Sequence, residues 1–253
     1  MASLEIPRIP AACNRASRLY PLLCILAVWT GAGSLAAQAP PASPPRFMVV
    51  LDAAHGGDDP GAKLSDGQPE KAFTLALSVR LRSLLGARGM QVITTRESDA
   101  TIDLNRRAEI ANHANAQACL SLHASETGTG IHLFVSSLSP APPREGVRFL
   151  AWRTAQSAWV TRSVALAGVL NSVLLHAGLS VTLGRTALPA VDSMACPAVA
   201  IEVAPESAAA GAPGEPPAAP LNDPAYQARV AEALAAAMLE WRADAGRMEA
   251  TQP

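Results

Sequence analysis

Four side chains that can bind a metal ion or move a proton stand at the ends of predicted elements. His55 and His123 each follow an apolar run typical of a buried strand, Glu202 follows a shorter run of the same kind, and Glu70 stands where a helical pattern begins. Because ligands of an open α/β sheet bind beyond the carboxyl ends of its strands, we expect these side chains to converge on one edge. Two imidazoles and a carboxylate around a divalent ion leave one position open for water, which is the arrangement of a catalytic zinc site.

Each of these residues also has an ordinary structural explanation. A histidine at the end of a strand is commonly a hydrogen-bonded polar residue, and a glutamate in the first turn of a helix is stabilised by the helix dipole. The separation of the four residues along the chain matches no short local metal motif. Asp58 and Asp59 either orient a ligand or belong to a solvated turn. His132 is near enough to the candidate edge to line a cleft, although strand alternation more simply makes it an outward-facing residue.

The elements that must position these residues alternate between strand and helix patterns. A buried-strand pattern begins at residue 47, and apolar positions at helical spacing run from Glu70 to a stop at Gly89. Asp103 is placed to cap a second helix through Ala114, and further strand-like runs lie at 119–122, 131–135 and 199–201. This alternation predicts a single α/β domain with a mostly parallel central sheet flanked by helices and with the metal site at the C-terminal edge of the strands.

The second half of the chain carries two longer helical patterns. One extends from about Arg148 to His176, and an amphipathic one extends from about Pro224 to Trp241. Between them, residues 208–220 are almost entirely Ala, Gly and Pro, which predicts a flexible loop. We therefore expect a domain over residues 47–245, followed by a loose tail at 246–253.

The N-terminal residues are typical of an export signal. Three arginines precede an apolar run that thins into small residues, which predicts a signal peptide over residues 1–36 and a Pro-rich linker over 37–46. The alternative is an uncleaved anchor, but the run is shorter than the ~20 apolar residues of a spanning helix, so we expect no stable membrane anchor. The pattern predicts an exported protein, periplasmic or extracellular.

Two cysteines, Cys119 and Cys196, remain beyond the predicted signal peptide. An exported compartment would permit them to pair, whereas cysteines in strand-like runs are commonly plain small core residues. The sequence leaves both interpretations open.

The charges of the chain are nearly balanced, because 20 Lys and Arg against 21 Asp and Glu give a formal net charge of −1. This balance offers no electrostatic attraction for nucleic acid or an acidic membrane, and we expect a monomer with no nucleic-acid partner.

Short motifs follow one another in a recognisable order along the chain. They are LDAAHGGDDPGA at 51–62, EK at 70–71, TR at 95–96 with Asp99, Leu104 with Arg107, AN at 111–112 and SLHA at 121–124. In order and spacing these motifs closely resemble the zinc-dependent N-acetylmuramoyl-L-alanine amidases of the cell-wall hydrolase type. The resemblance continues weakly through PAVAIE at 197–202 and returns in NDPAYQ at 222–227, so it covers approximately residues 47–238.

The resemblance implies a role for each of the four residues. It makes His55, Glu70 and His123 the zinc ligands, and it makes Glu202 the carboxylate that activates the metal-bound water. The implied reaction is hydrolysis of the amide between N-acetylmuramic acid and the L-alanine of a peptidoglycan stem peptide. Peptidoglycan is then the substrate, and the need for a protein activator stays open.

Several positions depart from the pattern of this family. Ala54 stands where a glycine usually precedes the first ligand, Ser125 replaces a common asparagine, and residues 204–207 replace a Gly-Phe-x-Asn stretch. Residues 144–190 also match the family poorly. These departures keep three other hypotheses open: a degenerate member that binds wall glycopeptide or a partner without cleavage, a structural exported protein, and a different zinc hydrolase such as a carboxypeptidase.

Overall fold

The computed structural model describes residues 47–141, 151–206 and 219–250, with side chains as far as residue 245. These residues form a six-stranded sheet flanked by helices. The strands are β1 (Met48–Ala53), β2 (Gln91–Thr94), β3 (Ala118–Ala124), β4 (Ile131–Ser136), β5 (Val181–Thr186) and β6 (Ala198–Val203). The helices are α1 (Glu70–Ala87), α2 (Leu104–His113), α3 (Val160–His176), α4 (Pro189–Asp192) and α5 (Pro224–Ala250), with a 3₁₀ helix at Trp152–Ala158.

The strand order β2-β1-β3-β6-β4-β5 confirms the predicted α/β architecture. The pairs β1 with β2, β1 with β3, β3 with β6 and β4 with β5 are parallel, whereas β4 with β6 is antiparallel. The carboxyl ends of β1, β3 and β6 therefore lie at one edge. Because β6 lies between β3 and β4, the turn at residues 125–130 has to pass the carboxyl end of β6.

The two faces of the sheet are covered by different helices. Leu120 and Leu122 of β3 belong to a large aliphatic cluster with α1, α3 and α5, in which Trp241 is 2% exposed. Cys119 faces the other way, into a smaller cluster with α2 and α4 that contains many alanines. Burial on both faces explains why β1, β3 and β6 are nearly continuous apolar runs, as central parallel strands commonly are.

The helix boundaries near the predicted site follow local rules. Helix α1 begins at Glu70 and buries the predicted apolar positions, and the chain leaves it at Gly89 with φ of +77°. This conformation favours glycine because it has no Cβ. Asp103 caps α2 as expected, since its side chain accepts a hydrogen bond from the backbone N–H of Arg106.

The second half of the chain corrects several predictions. In the described part of the helical stretch expected from Arg148 to His176, a 3₁₀ helix is followed by α3 across a bend of 66°, and Thr154 within the 3₁₀ helix leaves helical geometry. Residues 148–150 lie outside the described residues. Strand β5 was missed, since its residues are exposed or half-exposed and show no alternation of apolar side chains. Helix α5 continues to Ala250, so residues 246–250 are helical where a loose tail was expected.

Other predictions fall wholly or partly on undescribed residues. The signal peptide at 1–36, the linker at 37–46 and residues 251–253 lie outside the described residues, as does the loop at 208–220 except for its last two positions. Of those two, Ala219 is 5% exposed and pairs with Glu206 through backbone hydrogen bonds of 2.8 Å in both directions. Ala219 is therefore held in place, although the prediction included it in the flexible loop.

A disulfide joins Cys119 to Cys196, which settles the pairing that the sequence left open. Their Cα atoms are 6.2 Å apart, within the range of ordinary disulfides. The bond joins the beginning of β3 to the segment that enters β6.

No single helix of the described chain has the length and apolar composition needed to cross a membrane. The 3₁₀ helix and α3 meet that test only when joined, across a bend of 66°.

Candidate metal centre

The structure brings His55, Glu70 and His123 together at the sheet edge. His55 follows β1, Glu70 opens α1 and His123 lies near the end of β3. The Nε2 atom of His55 is 3.0 Å from Glu70 Oε2, and the Nδ1 atom of His123 is 3.1 Å from Glu70 Oε1. One ligand atom from each residue lies within 4.8 Å of the others. The predicted convergence is confirmed for these three residues.

The spacing of these atoms fits a small divalent ion. Ligand bonds of 2.0–2.1 Å in a tetrahedron put neighbouring ligand atoms about 3.3 Å apart. The two ring nitrogens lie close to that distance from the Glu70 carboxylate. Two imidazole nitrogens with one carboxylate are also a donor set that zinc accepts in catalytic sites. This cluster can therefore hold a metal ion and leave a position open.

Gly61 leaves the space that the ligands need. A Cβ at this position would lie 2.6 Å from His55 Cδ2 and 2.7 Å from Glu70 Oε2, and its φ is +66°. Both the left-handed backbone and the close approach require glycine here. The loop after β1 is therefore shaped around the ligand side chains.

The His55 ring is oriented by Asp59. Its Nδ1 atom is 2.8 Å from Asp59 Oδ2, and an ionised carboxylate can only accept. The proton therefore belongs on Nδ1, which leaves the lone pair of Nε2 directed at Glu70 and the metal position. The hydrogen bond with His55 and another from the Gly61 N–H hold the pKa of Asp59 below its usual value. Asp59 thus orients the His55 ring, whereas Asp58 is exposed in the same turn.

Glu70 is a buried carboxylate held in its charged form. Its side chain accepts hydrogen bonds from the backbone N–H groups of Ala62 at 2.9 Å and Ala124 at 3.1 Å. Burial raises its pKa, but these bonds and the contact with His123 outweigh that effect and lower the pKa below its ordinary value. A carboxylate held ionised with 4% exposure attracts a cation to the cluster.

The backbone of His55 is held in an unusual conformation, with φ of 60°. The side chain of Arg107 donates to its carbonyl oxygen at 2.6 Å, and Arg107 is 3% exposed. Ala54, which stands where the family pattern has glycine, does not have a positive φ; the left-handed residue is His55 itself. The Cβ of Ala54 is accommodated.

Glu202 lies beside the ligand cluster and outside it. It pairs in register with His123 across β3 and β6, so their side chains share a face. The carboxylate is half-buried and has no hydrogen-bond partner among the residues that the structure describes. A carboxylate next to the metal position and free of partners can take and release a proton.

His132 occupies the other side of Glu202, so of its two interpretations from the sequence the one that lines the cleft agrees with the structure. It pairs in register with Glu202 across β4 and β6, and its Nδ1 atom is 2.6 Å from Thr182 Oγ1. It therefore lies on the face of the site, where alternation had suggested an outward position. The antiparallel direction of β4 was the missing information, and a strand pattern does not reveal direction.

The other departures have structural partners. Ser125 Oγ accepts a hydrogen bond from the Thr127 N–H at 3.0 Å within the 125–130 turn. After Glu202, the carbonyl of Ala204 accepts from the Tyr226 hydroxyl at 2.7 Å, and the buried Glu206 pairs with Arg229 of α5. Burial raises the pKa of Tyr226, so the hydroxyl keeps its proton. Helix α5 therefore holds the segment that follows Glu202.

Comparison with known proteins relates this arrangement to one family. The family profile described as N-acetylmuramoyl-L-alanine amidase matches residues 49–240. A sporulation-specific N-acetylmuramoyl-L-alanine amidase of Bacillus subtilis is 37% identical over 90 residues, which are 34% of this chain and 35% of that protein. The amidase AmiA of Escherichia coli is 42% identical over 77 residues, 30% of this chain and 27% of AmiA. The matched segments thus span about a third or less of these relatives.

Solved structures share the fold at lower identity. Ami1 from Mycobacterium smegmatis has a TM-score of 0.59 at 21% identity, covering 77% of this chain and 96% of Ami1. The catalytic domain of CwlV from Bacillus (Paenibacillus) polymyxa var. colistinus has a TM-score of 0.57 at 23% identity, with 77% and 97% covered. CwlD from Clostridioides difficile, solved in complex with the GerS lipoprotein, has a TM-score of 0.56 at 22% identity, with 78% and 99% covered.

Proposed function

This chain belongs to the N-acetylmuramoyl-L-alanine amidase family, and from that membership we propose that it hydrolyses the amide between N-acetylmuramic acid and L-alanine in peptidoglycan stem peptides. The observation that carries the proposal is the cluster of His55, Glu70 and His123 with the carboxylate of Glu202 on the adjacent strand, which no other described residue pairs with. We assign zinc as the metal, since the two nitrogens and one carboxylate suit it.

His55, Glu70 and His123 would hold the metal, and the metal would act as a Lewis acid that polarises the scissile carbonyl and makes water more acidic. Glu202 acts as the general base, because its carboxylate lies beside His123 and no neighbour among the described residues occupies it. It takes a proton from the attacking water and passes it to the amine of the leaving L-alanine. Asp59 keeps the His55 ring turned towards the metal throughout.

The setting of the reaction is part of the same proposal. In this proposal residues 1–36 direct export and residues 37–46 link the signal to the domain, so the enzyme works in the periplasm or cell wall. We also expect it to be a monomer. The disulfide Cys119–Cys196 supports this setting, since disulfides persist in oxidising compartments. A protein activator stays open, and the complex of CwlD with GerS is one case in which a structural relative has a protein partner.

The test compares zinc content with cleavage of purified muropeptides by the protein and three variants. We expect about one zinc per chain and release of stem peptides with a free L-alanine amine. Glu202→Gln should keep the metal and lose cleavage, whereas His123→Ala should lose both. The control is Glu109→Gln, which changes an exposed glutamate of α2 that pairs with Arg106 and should change neither.

The outcomes separate the hypotheses. A parent protein that binds zinc but releases no stem peptide, also with partner proteins added, would favour the non-cleaving glycopeptide binder. Cleavage within the stem peptide would identify a carboxypeptidase. A parent protein that binds no zinc would refute the metal site.

A further inference from the structure

We propose that Asp52 and Ser121 are positioning residues that place the proton of the His123 ring on Nε2 and so leave the lone pair of Nδ1 for the metal. The inference rests on the metal site of the proposed function, and it does not depend on the substrate. It concerns a side of the His123 ring that faces away from Glu70, where the chain supplies a hydrogen-bonded network of its own.

Asp52 is the centre of this network. It lies in β1 with 2% exposure, and its two carboxylate oxygens have separate partners. Oδ1 accepts from Arg107 at 2.7 Å and from Thr95 Oγ1 at 2.8 Å, and Oδ2 accepts from Ser121 Oγ at 2.8 Å. The salt bridge with Arg107 keeps this buried carboxylate compensated, so it acts as a fixed acceptor.

The hydrogen count then decides the His123 tautomer. Ser121 has one hydroxyl hydrogen, which it donates to Asp52, so towards His123 its oxygen can only accept. The Nε2 atom of His123 is 3.5 Å from this oxygen, at the long limit of a hydrogen bond. The proton of a neutral imidazole is therefore favoured on Nε2, and the lone pair of Nδ1 faces Glu70 and the metal position.

The same network reaches the other ligand histidine. Arg107, which pairs with Asp52, also donates to the carbonyl oxygens of Ala53 at 2.6 Å and His55 at 2.6 Å. Asp52 is thus linked to both histidines, to one through a hydroxyl group and to the other through a guanidinium group. The outer nitrogens of His55 and His123 both meet acceptors, Asp59 and Ser121, which is the arrangement that orients metal-binding imidazoles.

A merely structural role for Ser121 makes a different prediction. In that case its loss would weaken the fold without a specific effect on zinc. Ser163 provides the matched control, because it is also buried, donates to Gln156 Oε1 and accepts from the Ala198 N–H at 2.9 Å. Its contacts lie at the amino end of β6, at the opposite end of that strand from Glu202.

The experiment measures zinc affinity by competition with a chelator, together with thermal unfolding of the metal-free proteins. Ser121→Ala should weaken zinc binding about 10-fold to 100-fold, as the loss of a partner of a ligand histidine typically does. Ser163→Ala should leave zinc affinity within about twofold while losing hydrogen bonds of the same kind. In nitrogen-15 NMR of the zinc-loaded protein, the proton on His123 Nε2 should be visible and should exchange faster in Ser121→Ala.

The variant Asp52→Asn should reverse the direction of the hydrogen bond between residue 52 and Ser121. Its amide oxygen has to face Arg107 and Thr95, so its NH₂ group faces Ser121 and donates to it. The Ser121 hydrogen is then free to point at Nε2, which favours the proton on Nδ1 and opposes metal binding. We expect zinc to bind more weakly in this variant than in Ser121→Ala.

Equal zinc affinity in Ser121→Ala, Ser163→Ala and the parent would overturn the inference and leave the proposed function standing. A parent that binds zinc but cleaves no muropeptide would overturn the proposed function, and the affinity ratios would still decide the role of Ser121. A parent without zinc would overturn both.

Discussion

A methyl group added at Gly61 gives the sharpest test of how the metal cluster is built. The Cβ of Gly61→Ala would lie 2.6 Å from His55 Cδ2, and ordinary contact begins at 3.4 Å, so these atoms have to separate by 3.4 − 2.6 = 0.8 Å. Ligand distances in a metal site tolerate only about 0.2 Å. The variant should therefore lose zinc affinity by at least about 10-fold, comparable with the loss of an orienting partner.

Gly67→Ala is the matched control for the backbone. Gly67 lies in the same loop with φ of +84°, and a Cβ there would meet nothing within 4 Å. Both variants bear the cost of a left-handed alanine, about 1–2 kcal/mol. Only Gly61→Ala also displaces the ligands.

The assay is chelator competition for zinc, accompanied by denaturant unfolding of each metal-free protein. We expect both variants to lose unfolding free energy, Gly61→Ala more than Gly67→Ala because its Cβ also crowds His55 and Glu70, and we expect a loss of zinc affinity in Gly61→Ala alone. If the two variants bind zinc equally well, the reasoning from the close contacts with His55 and Glu70 is refuted.

Three further expectations concern stability. Reducing the Cys119–Cys196 disulfide, which spans 77 residues, should lower the free energy of unfolding by about 4 kcal/mol, and identical denaturant midpoints with and without reductant would contradict this. In metal-free protein, the lowered pKa of Glu70 stabilises the fold at pH values above its ordinary pKa of 4.5, and this stabilisation is lost as the pH falls through the lower pKa of the folded state. Urea unfolding at a series of acidic pH values should therefore show that the free energy of unfolding depends less on pH in Glu70→Gln. Tyr226→Phe leaves the buried carbonyl of Ala204 without its donor and should cost about 1–3 kcal/mol in thermal unfolding while zinc content is kept, and an unchanged midpoint would argue against this bond.

The sequence predicted the part of the fold in which local signals and tertiary structure agree. The start of α1 at Glu70, the turn at Gly89 and the cap at Asp103 are local features, and the structure keeps all three. The convergence of His55 and His123 followed from the parallel direction of β1 and β3. Parallel strands bring their carboxyl ends to one edge whatever their separation along the chain.

The sequence failed where the answer depended on strand neighbours. Strand β5 is an edge strand whose Leu183 is 56% exposed, so it lacks the alternation that reveals a half-buried strand. The place of His132 beside Glu202 depends on the antiparallel pairing of β4 with β6, which no local pattern encodes. The disulfide likewise needed the distance between Cys119 and Cys196.

The network of Asp52, Ser121 and Arg107 was invisible for a related reason. Each residue has an ordinary explanation by itself, as a buried acid, a small strand residue and a helix cation. Their joint role depends on which group donates each hydrogen bond, and these bonds form only when β1, α2 and β3 are packed together. Sequence reasoning could locate the ligands, whereas their orientation required three dimensions.

The turn at residues 125–130 has a consequence for engineering. It joins β3 to β4 past the end of β6, and it is tied there by hydrogen bonds from Ala204 N to the Gly130 carbonyl at 2.8 Å and from Ser125 N to the Val203 carbonyl at 3.0 Å. Both anchors lie at the ends of the turn, and between them Glu126 accepts a hydrogen bond from the Ser65 N–H at 2.8 Å, in the loop that leads to Glu70. An engineered change in this short connection therefore has to keep the two anchors and Glu126 if the loop before Glu70 is to stay in place.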